Sequence, residues 1–161
     1  MDRLTHFDKS GRASMVDISG KENTERYAIT KGRVYMKPET IALIEEDKIK
    51  KGDVITVAKV AGIMAAKRVD ELIPMCHKLL LTSINIDIEM NKKESFLEIR
   101  CTAKSRGKTG VEMEAFTGVS VAALTVYDMC KAVDREIVIS DIKLIEKHGG
   151  KSGVFKRESE N

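Results

Sequence analysis

INIDIEMNKKESFLEIRCTA, residues 84–103, is the stretch that decides the fold. Ile84, Ile86, Ile88 and Met90 alternate with Asn85, Asp87 and Glu89. After NKKE the alternation resumes, with Leu97, Ile99, Cys101 and Ala103 set against Glu98, Arg100 and Thr102. A period of two sends successive side chains to opposite faces of a strand. Two such runs joined by a short polar turn predict a β-hairpin with one buried and one polar face. The polar face meets either solvent or another subunit.

Working outward, the pattern changes to a helical one on both sides. Upstream, Val54, Val57, Ala61 and Met64 follow helical spacing in a segment running to Arg68, with Asp53 placed as its N-cap. Gly62 inside that segment marks close packing rather than a break. Further upstream, YAITKGRVYM (Tyr27–Met36) reads as a strand interrupted by glycine, and Pro38 opens a short helix over Glu39–Glu46. LIPMCHK is a loop stopped by Pro74. Downstream, SRGKTG leads into a long helix from about Val111 to Val133, with Ala115, Val119, Ala122, Ala123, Val126 and Cys130 as its apolar stripe. Glu136–Glu146 is rich in Ile and Val and reads as a strand, and HGGKSG follows as a loop. The core order β-α-β-β-α-β predicts an α+β fold of ferredoxin-like (split βαβ) type: an antiparallel sheet with helices on one face. The length of 161 residues suits one domain. We place it at 15–157, with a flexible N-terminal tail over 1–14 and a short C-terminal tail over 158–161.

Composition narrows the class. Basic residues (28) nearly balance acidic ones (25), so the net charge of +3 is not that of a nucleic-acid-coating protein, and any basic patch must be local. Aromatics at 4% with no Trp leave few rings on which bases could stack, which argues against RNA recognition. Cys76, Cys101 and Cys130 are odd in number and form no C-x-x-C, so neither a disulfide framework nor a zinc site is indicated. Reduced thiols, a polar N-terminus and no long apolar run predict a soluble cytoplasmic protein without membrane contact.

Four groups of residues carry chemistry. Lys50, Lys51 and Gly52 precede a helix, where an ammonium beside free N–H groups suits a phosphate; a solvated lysine turn is the plain alternative. Cys76-His77 suggests a nucleophile or a metal site, but neither residue has a partner at ligand spacing. GKTGVEME (Gly107–Glu114) sets two glycines and Lys-Thr before a helix, with Glu112 and Glu114 in the first turn, where the dipole favours acids anyway. It is not a P-loop, because Thr102 stands where that motif needs glycine, and the later GKS fails likewise at Ile145. In YDMCK, Asp128 and Lys131 are neighbours on one helix face. They lie in an apolar stretch that could shift their proton affinities as acid–base work requires; a surface ion pair is the bland reading. A helix rises 1.5 Å per residue, which puts Glu114 and Asp128 about 21 Å apart along it. If both clusters serve one site, they come from two chains.

SMVDISGK (Ser14–Lys21), KGDV (Lys51–Val54), AGIMAAK (Ala61–Lys67), LIPMCHKL (Leu72–Leu79), GKTGVEMEAFTGVSVAALTVYDMCKA (Gly107–Ala132) and GGKSG (Gly149–Gly153) together resemble the MoaC family, the cyclic pyranopterin monophosphate synthases. The segment ending in YDMCKA is the most specific, and the likeness runs from about residue 4 to 156. One place departs: the family usually reads Leu-Cys-His-Pro where this chain has Met75-Cys76-His77-Lys78. Losing the proline loosens that turn and adds a charge.

The resemblance implies a lyase of molybdenum-cofactor biosynthesis. Its substrate is 3′,8-cyclo-7,8-dihydro-GTP, and its products are cyclic pyranopterin monophosphate and pyrophosphate. It implies a hexamer, a trimer of dimers, with sites between subunits. It matches Lys51, Lys131 and Asp128 to the family's catalytic residues. Met75, Cys76, His77, Glu112, Met113 and Glu114 fall in its substrate-binding segments, with Lys67 and Lys147 as further site residues. No tightly bound cofactor or protein-held metal is implied; Mg2+ would enter only with the triphosphate or pyrophosphate. Two other readings use the same residues: a non-catalytic nucleotide-binding regulator, and an RNA-binding domain of the same fold. The dense acid–base set disfavours the first, and the lack of a Gly-aromatic RNP-like motif disfavours the second.

Overall fold

A computed structural model describes residues 11–151 and 153–158. The predicted hairpin is present as β2 (Leu81–Asn91) and β3 (Phe96–Gly107). Its antiparallel register pairs Ile86 with Cys101, Ile88 with Ile99 and Met90 with Leu97, so the apolar sets share one face. Leu97, Ile99, Cys101 and Ala103 are fully buried. The other strands are β1 (Thr24–Tyr35), β4 (Val138–His148) and a two-residue β5 (Phe155–Lys156). The order β2-β3-β1-β4-β5 makes one five-stranded, wholly antiparallel sheet with β1 near its centre.

The helices are α1 (Pro38–Glu45), α2 (Val54–Ala66), a single turn α3 (Val69–Leu72) and α4 (Glu112–Cys130). α2 and α4 pack side by side, and α4 lies along β1 and β3. Three glycines let these layers close. A Cβ on Gly32 of β1 would stand 2.8 Å from Val119, one on Gly118 would stand 2.8 Å from the Cys101 Sγ, and one on Gly62 would stand 2.3 Å from Ile86 and 2.6 Å from the Gly118 carbonyl. The close packing expected at Gly62 is therefore the contact between α2 and α4. The predicted N-cap holds too, since the Asp53 carboxylate accepts the Thr56 N–H at 3.0 Å.

Several expectations need correcting. The spacing of Val54, Val57, Ala61 and Met64 marks the helix, but of these four only Val54 lies on the buried face of α2. Val54, Ala58, Gly62, Ala65 and Ala66 are buried, while Val57, Val60 and Met64 are exposed. α2 is apolar nearly all round, and its small residues admit the closest approach to α4, so they take the core side. β4 extends to His148 rather than stopping at Glu146, α4 ends at Cys130 rather than Val133, and α3 and β5 were not anticipated. Both are too short for periodicity to register. Most of the proposed N-terminal tail (1–10) and residues 159–161 of the C-terminal tail lie outside the described residues.

Candidate active site

The first turn of α4 carries Glu112, Met113 and Glu114, and each side chain meets a different environment. Glu112 curls back over Gly110, where a Cβ would lie 1.9 Å from its carboxylate. There it pairs with the Lys147 ammonium of β4 at 2.8 Å. Met113 points outward. Glu114 is only 4% exposed, facing the core side of the turn. Burial pushes its carboxyl up to about 7; a bond from its own backbone N–H opposes this, and the charges of Glu112 and Asp70 add to it. A carboxyl held there is part-protonated at neutral pH.

The loop carrying Met75, Cys76 and His77 runs past this end of α4, all three half-buried. Burial, with the Glu114 charge beside it, raises the Cys76 thiol, which argues against a thiolate nucleophile. Among the described residues no three His, Cys, Asp or Glu side chains are grouped to hold a metal ion. Lys78, in place of the family's proline, is exposed with its ammonium 3.9 Å from Asp70.

Beside Glu112 and Lys147 opens a cleft of about 860 Å3, within the size range of small-ligand sites. Lys21, Arg26, Lys108, Lys147 and Lys151 line it against Glu22 and Glu112. Gly149 and Gly150 form part of its wall, with φ of +102° and +78°. A Cβ at 150 would fall 1.9 Å from an Arg26 guanidinium nitrogen, so only glycine fits both the backbone and the space. The 15–22 segment closes the rim, since Lys108 Nζ donates to the Ser19 carbonyl at 2.6 Å. Asp17 lies close enough to Lys108 and His77 to feel both charges, although hydrogen bonds from Ser19 are the larger cause of its lowered pKa.

The far end of α4 presents the second cluster. Asp128 Oδ2 accepts from Lys51 Nζ at 2.6 Å, its Oδ1 lies 2.7 Å from Lys131 Nζ, and Lys51 also donates to the Asp128 carbonyl at 2.9 Å. All three side chains are about half exposed. Lys131 and then Lys51, by hydrogen bonding, hold the Asp128 carboxyl down at about 2, and Asp128 raises Lys131. This corrects the expectation that the apolar stretch would shift these groups toward neutrality. Asp128 projects from the helix into solvent, so its ion pairs set its proton affinity, not burial. A phosphate at the N-terminus of α2 is also disfavoured, because Asp53 already caps it and Lys51 turns to Asp128 instead.

The chain thus brings Lys51, Asp128 and Lys131 together at one end of α4, and Glu112, Glu114, Lys147 and the Cys76-His77 loop at the other. Of the expected substrate residues only Glu112 and Lys147 line the cleft; Met75, Cys76, His77, Met113 and Glu114 do not, nor does Lys67, exposed at the C-cap of α2. Sequence reasoning picked out Lys108 only as part of GKTGVEME and assigned no site role to Lys21, Arg26 or Lys151. Arg26 had a signal: it falls in phase with Ala28, Thr30 and Val34, so it is a charge on the apolar face of a strand.

Residues 15–150 match the MoaC family model. The chain is 54% identical over 155 residues to the cyclic pyranopterin monophosphate synthase of Thermoanaerobacter sp. (strain X514), covering 96% of this chain and 98% of that one. It is 55% identical to the protein of that name from Heliobacterium modesticaldum (98% and 99% covered) and 57% identical to that from Clostridium perfringens (strain SM101; 96% and 98%).

Proposed function

This chain belongs to the MoaC family, and we propose that the two ends of its α4, contributed by different subunits, form one active site. The chain is an enzyme of molybdenum-cofactor biosynthesis with the activity of a cyclic pyranopterin monophosphate synthase, a lyase. In the proposed reaction 3′,8-cyclo-7,8-dihydro-GTP is rearranged to the pyranopterin, and a sugar hydroxyl closes a cyclic phosphate as pyrophosphate leaves.

One observation carries the two-chain reading: both clusters sit on a single 19-residue helix. Their separation of about 21 Å exceeds the reach of one small substrate. The proposed assembly is the one the family resemblance implies, a homo-oligomer built as a hexamer of three dimers, in which each ferredoxin-like subunit would donate half of two sites. The basic cleft takes the triphosphate, where Lys147 and its neighbours balance the charge of the bound and departing phosphates. Cys76, His77 and Met113 border the base and sugar, with Met75 of the same loop and Lys67 from the C-cap of α2 completing the site. Magnesium would accompany the triphosphate as its counter-ion and leave with pyrophosphate.

The proton affinities divide the labour. Glu114, near neutrality, can both take and give a proton during ring opening and closure. Asp128 is a permanent anion that orients the Lys51 and Lys131 ammoniums as acids toward the substrate. No helix among the described residues is long and apolar enough to cross a membrane, and a cytoplasmic site of action suits a nucleotide substrate. Nothing in this reading calls for a nucleic acid.

The test is subunit complementation. Lys131→Ala and Glu114→Ala chains are each expected to be inactive. Random mixing into dimers should restore about one quarter of the wild-type sites, because half the dimers are mixed and each holds one intact site. Verified mixed oligomers with no recovered turnover would refute the shared site.

A further inference from the structure

Lys51, Asp128 and Lys131 form an exposed ion-pair cluster, and exposed pairs do little to hold their own geometry. Packing of α2 on α4, with Val54 buried, fixes the chain just after Lys51, and the side toward α1 needs a tie of its own. Lys51 belongs to the α1–α2 segment, and the start of that segment is tied down by a buried carboxylate six residues beyond Asp128. Asp134 is 2% exposed. Its Oδ2 accepts from the Lys37 backbone N–H at 2.9 Å and from the Thr40 hydroxyl at 3.1 Å, and its Oδ1 accepts from the Glu136 N–H at 3.0 Å. Lys37 is the N-cap of α1 and makes no side-chain cap bond; Asp134, from the turn after α4, instead satisfies the free N–H of Lys37 itself and holds the Thr40 hydroxyl.

We infer that Asp134 is a positioning residue, which holds Lys51 on Asp128 by fastening the start of α1 to the end of α4. The importance of this for turnover rests on the catalytic reading of the Lys51–Asp128–Lys131 cluster. Among the described residues the polar links between the end of α4 with its following turn and the α1–α2 segment are Asp134 to residues 37–40, Glu136 to the Lys37 ammonium at 2.5 Å, and Asp128 to Lys51. Only the first is buried. Ile41, Ile44 and Ile49, all in the core, carry its constraint along α1 to the lysine turn. An exposed lysine freed from that turn would have many rotamers and no fixed place over Asp128.

The test measures the Asp128 carboxyl titration by 13C NMR in the full-length oligomer, beside kcat and KM. Lys51→Ala sets the reference, since losing that ammonium should raise the Asp128 pKa. Folded Asp134→Ala is expected to give about half of that rise, with kcat down roughly 5- to 10-fold and KM held within about twofold. A purely structural role would lower the melting temperature and leave the Asp128 titration alone; that result overturns the inference. If Asp134→Ala does not fold, the near-isosteric Asp134→Asn decides by the same titration, because its amide must face at least one N–H or O–H donor. A shifted Asp128 with unchanged turnover would support the anchor and instead refute the catalytic reading of the cluster.

Discussion

The two ends of α4 hold carboxylates of opposite character. Glu114, in the first turn, is buried and held up at about 7; Asp128, in the last, is exposed and held down at about 2. They share a helix and a chemical group, so the difference is due to surroundings alone. Burial beside other acids stores a proton, and two flanking ammoniums forbid one. An apolar sequence neighbourhood was a poor guide here. Asp128 lies in VSVAALTVYDMCKAV yet faces water, whereas Glu114 lies in the polar run GKTGVEME yet faces inward.

The sharpest way to break this comparison is to remove the cluster at the last turn. Lys131→Ala or Asp128→Asn should lower kcat about 10²-fold or more. Because these side chains are exposed, the melting temperature should stay within about 2 °C. A large drop in melting temperature would mean that the cluster is structural.

The next test strikes both ends at once. Gly62→Ala places a methyl against Ile86 and the Gly118 carbonyl, and overpacking of that kind costs about 1–3 kcal/mol. Denaturant unfolding should show this loss, since neither backbone atom nor core isoleucine has room to give. A stability equal to wild type would show that α2 and α4 pack less closely than described.

Glu114 gives a pH signature with a definite sign. Its folded pKa lies above the ordinary 4.5, so the folded chain binds the extra proton between about 4.5 and 7. Stability should fall as pH rises through that window and then level off, by at most about 3.5 kcal/mol. Glu114→Gln should flatten this slope; a slope that survives belongs to another group. Asp134 acts in the opposite sense. Burial pushes its carboxyl up, but the Lys37 and Glu136 N–H groups and Thr40 outweigh that and hold it below the ordinary value. Its contribution should be lost only in acid, as pH falls through the lowered pKa, and Asp134→Asn should remove that acid-side loss.

The smallest effect is expected at the loop facing Glu114. Restoring proline with Lys78→Pro removes an exposed charge and stiffens the turn, so KM should change by less than about threefold with kcat unmoved. Steady-state kinetics would show whether the departure at 78 touches the first-turn end of the site.

Much of this could be read beforehand where one physical rule dominated. The hairpin alternation fixed which residues of β2 and β3 face the core, and the stripe from Ala115 to Cys130 located α4. The spacing along α4 was enough to separate the clusters. Elsewhere two rules competed. α2 offered two apolar stripes, and close approach at Gly62 chose the one made of small residues. The cleft cations come from the 15–22 segment, β1, the β3–α4 loop and the end of β4, which meet only through the sheet order. No local pattern encodes that meeting, or the reach of Asp134 back to Lys37.

α4 is also a ruler. In the proposed shared site both halves are mounted on it, so one residue inserted between Glu114 and Asp128 would advance one end by about 1.5 Å and swing it about 100° around the axis. No side-chain adjustment absorbs such a rotation. Tolerated length variation should therefore spare the span from 114 to 128.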